Sequence, residues 1–292
     1  VSTKKKILIQ LDCDEHASVF DGVVAIDAGV DHLFQYSGVL PPAVRGLIHG
    51  AMFTRGPADL QSTAVFVGGS DVSIGHEIAS AARSVLFDPF RVSIMFDSNG
   101  CNSTAAAAVL SAAKHVNLSV GKSLVLAATG AVGQAVCTLI TSLGGGVIVG
   151  SRSVARAGET IEKLGYLGVP IAGLSPLGVE DESSLRMALQ EATAVFACGA
   201  AGVELLSSDL LSAGVNLRAA IDLNAVPPAG LFGIGVSDKG VQRGNRFDYG
   251  ALGVGGLKMK IHKHAIQQLF TGNSHFIDAY EMMKIGRSIL SA

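Results

Sequence analysis

Short unbroken apolar runs alternate along this chain with segments whose apolar residues recur every three or four positions. Ile7–Leu11, Ala64–Val67 and Val92–Phe96 are runs of strand length and predict buried strands, whereas Val19–Ala28, Pro42–Ala51 and Ile74–Leu86 carry helical spacing. A second series follows, with strands expected at Leu124–Ala127, Val147–Val149, Val195–Ala197 and Ala219–Leu223 and helices between them. Strands that are apolar on both faces and alternate with helices belong to parallel sheets covered on both sides. A helix capped by Asn102 or Ser103 is expected to run through the alanine stretch to His115, and Asn117–Lys122 reads as a linker. Past Asn224 the rhythm fades into Pro227-Pro228 and glycine-rich loops, before closing helical patterns at Leu257–Phe270 and His275–Leu290. The expected fold is α/β with two parallel-sheet domains and a cleft between them. The first covers 1–118 and is completed by the helices of 257–292; the second is Rossmann-like and covers 119–256.

Composition narrows the class. Over 292 residues the chain is 49% hydrophobic and 16% charged, too apolar for a disordered chain. Lys plus Arg number 22 against 24 for Asp plus Glu, a net charge of −2, so the basic excess of a nucleic-acid binder is missing. The mean hydropathy of +0.44 raises a membrane reading, and Ser123–Ser151 contains no charged residue. Gly130, Gly133 and Gly144-Gly145-Gly146 punctuate that stretch as a strand, turn, helix and strand instead. Lys4-Lys5-Lys6 leads into an apolar run stopped by Asp12, Asp14 and Glu15, unlike a signal peptide. The chain is therefore read as soluble and cytoplasmic. Cys13, Cys101, Cys137 and Cys198 are scattered and form no C-x-x-C, so neither a disulfide framework nor a metal site is expected.

Leu124 to Gln134 reads as a strand entering a helix through a glycine turn. It matches G-x-G-x-x-G with Ala128 in the place of the first glycine. Thr129, Gly130, Ala131, Val132 and Gly133 would form the turn, the second glycine admitting a pyrophosphate to the backbone and the third allowing close helix packing. Arg152 stands 22 positions after Gly130, where an NAD site places an acid. Here Ser151, Arg152, Ser153 and Arg156 offer hydroxyls and guanidinium groups suited to a 2′-phosphate, so NADP is the expected cofactor. Ala200 and Asn224 follow strands of the same domain and are candidate nicotinamide contacts.

No acid–base constellation accompanies this site. The histidines at 16, 32, 49, 76, 115, 262, 264 and 275 are dispersed, and His262 and His264 face different sides of their helix. Tyr280-Glu281-Met282-Met283-Lys284 has the Y-x-x-x-K form of short-chain dehydrogenases but reads as the face of a terminal helix.

Several blocks then stand in order: Phe20-Asp21, Thr54-Arg55-Gly56, Ser62–Gly69, Pro89–Ser93, Asp97-Ser98-Asn99-Gly100 and Gly250–Lys258. Together they resemble the NADP-dependent methylene-tetrahydromethanopterin dehydrogenases of methylotrophic bacteria, distant relatives of the methylene-tetrahydrofolate dehydrogenases. The likeness runs from Ile7 to the last helix. It implies oxidation of the one-carbon bridge between N5 and N10 of a reduced pterin, with hydride passing to C4 of NADP⁺. Because the methenyl product is a cation spread over two nitrogens, no proton need move in that step, which fits the missing acid–base set. The resemblance also implies that the first domain binds the pterin, tetrahydromethanopterin or tetrahydrofolate, and that the chain is a homo-oligomer, a trimer or hexamer.

Asp97 ends a strand, where open α/β sheets present functional groups. With Lys258 it is the candidate for the catalytic set, and Phe20, Asp21, Asn99 and Thr104 join both as candidate pterin contacts. Alternatives remain for each. Asn99 and Thr104 suit a helix start, Ser18-x-x-Asp21 resembles a capping box, and Phe20 suits a core. A shikimate-type NADP dehydrogenase and a non-catalytic NADP sensor are the competing functions.

Overall fold

A computed structural model describes residues 4–291. The chain divides into two compact units, one formed by the residues through Ser103 with those from Met259 onward, the other by Thr104–Lys258. In chain order the elements are β1 (Ile7–Leu11), α1 (Val19–Asp27), β2 (His32–Tyr36), α2 (Pro41–Phe53), β3 (Thr63–Val67), α3 (Val72–Val85), β4 (Ser93–Phe96) and α4 (Cys101–Ala113). There follow β5 (Lys122–Leu126), α5 (Ala131–Ser142), β6 (Gly146–Ser151), α6 (Val154–Tyr166), β7 (Leu174–Gly178), α7 (Glu182–Glu191), β8 (Ala192–Ala197), α8 (Ser208–Ala213) and β9 (Ala219–Asp222). The chain closes with β10 (Lys239–Arg243), β11 (Arg246–Tyr249), α9 (Ala251–Gln268), β12 (Phe276–Ile277) and α10 (Ala279–Ser291).

The first unit holds a parallel sheet in the order β12-β4-β3-β1-β2. Its register sets Leu11, Val67 and Phe96 side by side, so the residues that follow them, Asp12, Gly68 and Asp97, end adjacent strands together. Alternation sends Leu11, Val65, Val67, Ile94 and Phe96 to one face, where they pack with Ile48, Met52 and Ile78. Gln10, Asp12, Phe66 and Asp97 therefore belong to the other face, and all four are buried. Local signals start the helices: Ser18 caps α1, Asp71 caps α3 by accepting from Ser73 and Ile74, and Pro41 opens α2.

The second unit holds a sheet in the order β10-β11-β9-β8-β5-β6-β7, parallel except for the β10–β11 hairpin. That hairpin is tied by a buried Asp248, which accepts from Arg246 Nε at 2.6 Å and Arg243 Nη1 at 3.1 Å. At the opposite margin β7 carries an exposed proline, Pro176.

Three departures from the sequence reading have local causes. The short edge strand β2 is half polar and largely exposed, so no apolar run marks it. His275–Leu290 is not one helix: Asp278 Oδ1 accepts from the backbone N–H of Tyr280 and Glu281, starting α10 at Ala279 and leaving Phe276–Ile277 to pair with β4. The glycine-rich stretch before Leu257 is helix from Ala251 rather than loop. A Cβ at Gly253 would lie 1.7 Å from the carbonyl oxygen of Asp238, so glycine there admits close packing of α9 on a neighbouring loop.

The cofactor-turn motif also shifts by one position. Ala127, not Ala128, takes the left-handed backbone conformation, with φ of 53°. The pattern is therefore G-x-x-G-x-x-G with alanine at its first place. A left-handed alanine costs about 1 kcal/mol relative to glycine. Ala127→Gly is expected to stabilise the protein by roughly that amount and to raise the thermal midpoint by roughly 2–4 °C. Calorimetry of the two proteins checks it, and an unchanged or lowered midpoint would show that the turn carries no such strain.

Candidate functional site

Open parallel sheets bind ligands outside the carboxyl ends of their strands, where the strand order reverses. In the second unit that point falls between β5 and β8. The turn leaving β5 is fixed by Ala128 N–H donating to Gly150 O at 2.9 Å. A Cβ at Gly133 would lie 2.7 Å from Ala128 Cα, so only glycine lets α5 approach the strand this closely. Gly130 precedes α5 without any side-chain cap, and a Cβ placed on it would meet nothing nearer than Ala127 O at 3.6 Å. An uncapped helix start beside an open backbone is a cradle for an anion, favoured by the helix dipole.

The remaining cofactor candidates gather at the same sheet end. Ser151 is buried at the close of β6, Ser153 caps α6 by accepting from Arg156 N–H, and Arg152 and Arg156 are exposed. That set of hydroxyls and exposed guanidinium groups beside the cradle suits the extra phosphate of NADP. Ala200 is exposed beyond β8. Asn224 is buried beyond β9 and is spent on the loops: its Oδ1 accepts from Gly202 and Val226 N–H, and its Nδ2 donates to Pro228 O. Asp222, also buried, accepts from Asn224 and Leu231 N–H. Burial, with Asp222 nearby, pushes the Cys198 thiol up to about 12, so it stays protonated at neutral pH.

In the first unit the order reverses between β1 and β3, and the loops beyond them are clipped together. Asp12 accepts from Asp14 and Ser18 N–H and from Gln10 Nε2, while Asp14 accepts from Ser70 N–H at 2.9 Å and Ser70 Oγ at 2.7 Å. Asp12, Cys13 and Asp14 bring ligand atoms within 4.8 Å of one another, but both carboxylates are engaged in this clip. Gly69 has φ of 88°, and a Cβ on it would sit 2.6 Å from Cys13 Sγ. Gly68 is buried where three side chains converge. A Cβ there would meet Phe66 Cε1 at 3.1 Å, Asp21 Oδ2 at 3.5 Å and Asp12 Oδ2 at 3.6 Å. Asp21 therefore turns its carboxylate over the sheet end while its N–H is held by Ser18 Oγ at 3.2 Å, and neighbouring Phe20 is about half exposed.

Asp97 and Asn99 belong to the same rim. Asp97 N–H donates to Val67 O, Ser98 Oγ to Gly68 O and Asn99 N–H to Gly69 O, lacing the turn after β4 to the turn after β3. Asn99 is exposed and left-handed, with φ of 53°, a conformation asparagine tolerates. Asp97 is buried, and its Oδ1 accepts from the N–H groups of both Asn102 and Ser103. The cap of α4 is thus Asp97, not Asn102 or Ser103. Those two lie inside the first turn and send their side chains back to Phe96 O and Gly100 O. The other Asp97 oxygen, Oδ2, lies 2.9 Å from Nδ1 of His262. Thr104 and Lys258, half-buried, fall within the second unit, on α4 and α9.

The structure therefore collects Phe20, Asp21, Asp97 and Asn99 at one sheet end, and the Thr129–Gly133 turn with Ser151, Arg152, Ser153 and Arg156 at the other. It adds Asp12, Gly68, Ser70 and His262, which the sequence analysis did not select. Gly68-Gly69 directly after an apolar run was a usable sign. His262 offered none, because its partner is 165 positions away.

Two sheets of this kind, one with a glycine cradle and an arginine pair, define a two-unit, dinucleotide-binding α/β protein of the dehydrogenase type. Comparison with known proteins gives the family. Residues 19–99 match the family described as methylene-tetrahydromethanopterin dehydrogenase, N-terminal. Over 98% of its length the chain is 39% identical to the Bifunctional protein MdtA of Methylorubrum extorquens, covering 99% of that protein. It is 30% identical to the NAD(P)-dependent methylenetetrahydromethanopterin dehydrogenase of the same organism, with 95% of this chain and 97% of that protein covered. The chain belongs to the methylene-tetrahydromethanopterin dehydrogenase family. Among solved structures, shikimate 5-dehydrogenase from Listeria monocytogenes aligns with a TM-score of 0.55 at 14% identity, over 99% of this chain and 98% of that one, a likeness of fold alone.

The cap defines a stability test. Asp97→Ala removes the acceptor of two backbone N–H groups and leaves the His262 ring buried without its partner. Such a loss is expected to cost about 3 kcal/mol. Urea unfolding of wild type and variant measures it, and a difference below about 1 kcal/mol would mean that water replaces the carboxylate at no great cost.

Proposed function

We propose that this protein reversibly oxidises N5,N10-methylene-tetrahydromethanopterin to the methenyl form, with NADP⁺ as hydride acceptor and methylene-tetrahydrofolate as a further substrate. The observation that carries the reading is membership of the family over nearly the whole chain, joined to a glycine cradle followed by Arg152 and Arg156 where an NAD site carries an acid. That membership favours this reaction over a shikimate-type substrate or a non-catalytic NADP sensor.

NADP supplies the carbon that accepts the hydride; what remains is the work of the chain. Thr129 to Gly133 present the backbone of the α5 start to the pyrophosphate. Ser151, Arg152, Ser153 and Arg156 hold the 2′-phosphate. The loops beyond β8 and β9, with Ala200 exposed and Asn224 tying them together, border the nicotinamide. On the pterin side, Phe20 offers an exposed ring for stacking, and Asp21 a carboxylate for ring N–H groups. Asn99, Thr104 and Lys258 complete the set of contacts. Lys258 orients the pterin and is not a base, since its charge opposes a methenyl cation. Asp97, buried and capped into α4, acts on the substrate mainly by fixing the rim that carries Asn99 and by lending negative charge to a site where positive charge develops. Alignment of the two rings, rather than proton transfer, accounts for the rate.

We place the protein in the cytoplasm. The four cysteines are free thiols, as suits a reducing compartment, and no helix among the described residues is long and apolar enough to cross a membrane. Exposed Val19, Val23 and Ile26 on α1 and Phe34 and Tyr36 on β2 support a homo-oligomer, which light scattering at assay concentration reads directly; a monomer would refute that assignment.

The deciding assay is NADPH formation with methylene-tetrahydromethanopterin and methylene-tetrahydrofolate in parallel, with NAD⁺ as the control. Turnover with the methanopterin and NADP⁺ is expected; its absence in protein that binds NADP would refute the assignment. Arg152→Asp is expected to raise the Kd for NADP at least 10-fold while leaving that for NAD within about 3-fold, the difference expected of one charge-assisted phosphate contact. Equal weakening of both cofactors would remove Arg152 from the 2′-phosphate site.

A further inference from the structure

The loop leaving β9 is closed on itself by one buried carboxylate. Asp222, 1% exposed, accepts from Asn224 N–H and Leu231 N–H, both at 2.9 Å, and so joins the two ends of the segment between them. Asn224, also buried, ties the interior of that segment. Its Oδ1 accepts from Val226 N–H at 3.0 Å and, from the loop after β8, Gly202 N–H at 3.2 Å; its Nδ2 donates to Pro228 O at 2.8 Å. Two backbone donors on one side of the amide and a carbonyl on the other admit a single orientation of that group. Aspartate could not replace it without setting an oxygen against Pro228 O. Leu205 and Leu206 N–H donate to Gly230 O, and Phe232 N–H to Leu206 O, so the loops after β8 and β9 form one body.

What this fastening holds is not core. Ala225, Val226, Pro227 and Pro228 are exposed, as are Ala200 and Val203 in the neighbouring loop, and none of the six carries a charge. Ordering an exposed segment costs conformational entropy that burial does not return. We propose that Asn224 is a positioning residue for the nicotinamide of NADP: with Asp222 it keeps residues 225–228 as a fixed, uncharged wall beside the ring, so that C4 offers only its opposite face to the hydride. The inference rests on the reading that the loops beyond β8 and β9 border the nicotinamide. In that step the methylene carbon gives up a hydrogen with both electrons of its C–H bond and is oxidised, while C4 receives them and is reduced. No proton passes, so the wall needs no titratable group.

NADPH itself reports the wall without any pterin. Its fluorescence rises when the nicotinamide is held in an ordered site, whereas the α5 cradle and the Arg152 set bind its other half. Asn224→Ala is expected to leave the Kd for NADPH within about 3-fold of wild type and to cut the fluorescence gain of the bound cofactor at least about 2-fold. With a dideuterated methylene bridge, wild-type protein is expected to deliver deuterium to one face of C4, as read by proton spectra of the NADPH formed. Asn224→Ala is expected to label both faces and to lower kcat by about 10- to 100-fold, the cost of misplacement by about 1 Å. The pterin KM stays within about 2-fold. Asn224→Asp keeps the acceptor for Gly202 and Val226 and gives up only the donor to Pro228, so it tests the wall even if the alanine variant does not fold. Its kcat is expected to fall about 10-fold, as for one lost hydrogen bond. Wild-type kcat and fluorescence in either folded variant would overturn the proposal. A Kd that rises as far as kcat falls would do the same, being the mark of a loop that only supports the fold. Wild-type protein that binds NADPH with no gain in fluorescence refutes the wall outright. Failure of the pterin assignment is recognised separately, because wild-type protein would then show no turnover while the NADPH fluorescence still decides the proposal.

Discussion

A carboxylate taken out of water must be surrounded by donors, because its desolvation is otherwise ruinous. Asp97 meets that demand with two backbone N–H groups from the start of α4 and the imidazole of His262. Each donor comes with a segment attached, so satisfying one charge fixes the turn after β4, the first turn of α4 and the middle of α9. Asp12 does the same for the loop after β1, drawing in Gln10, Asp14 and Ser18. These two carboxylates end strands on either side of Gly68, about 10 Å apart by two strand spacings. Between them lies Gly68, over which Asp21 is turned. The polar rim of the first unit is thus organised by buried charge rather than by packing, which explains why its exposed members stand on rigid turns.

Both units gather their strand ends in the same way. A parallel sheet gathers the ends of its strands, and the reversal of strand order opens a gap that side chains from separate loops can border. In the second unit the uncapped backbone start of α5 borders that gap; in the first the carboxylates of Asp12 and Asp21 do. On the proposed reading this division suits hydride transfer to NADP from a methylene bridge. The step needs two rings held in register and tolerance of positive charge, and it needs no proton shuttle.

The sequence showed the strands whose residues are buried on both faces, such as Ala64–Val67 and Val195–Ala197, because burial leaves an unbroken apolar run. It did not show β2, whose edge position permits His32 and Gln35, or β12, where pairing with β4 leaves only two residues of strand. Glycine misled in both directions. Gly253 is helical because a carbonyl needs the space, and Ala127 takes the glycine place in the cofactor turn although it has a side chain. The candidate cofactor site could be picked out because its parts are contiguous: a strand, a turn, a helix and an arginine at a set distance. The clasp between Asp97 and His262 was not, since nothing local distinguishes a histidine that faces a carboxylate across the fold from one that faces solvent. Asp97 itself was singled out from its place at the end of a strand, but its partners required the fold.

The sheet of the second unit ends on β7, and the exposed Pro176 in that strand has a consequence for the molecule's life in a crowded solution. An outermost strand offers its unpaired backbone groups to any other chain able to extend it. Proline has no N–H to offer and stiffens the backbone, so the row of donors along this margin is interrupted at its centre. A chain of mean hydropathy +0.44 concentrated in a cell would otherwise present an adhesive border. One imino acid at the middle of β7 makes that border a poor template, so growth of the sheet from one molecule into the next is blocked on this side before it can begin.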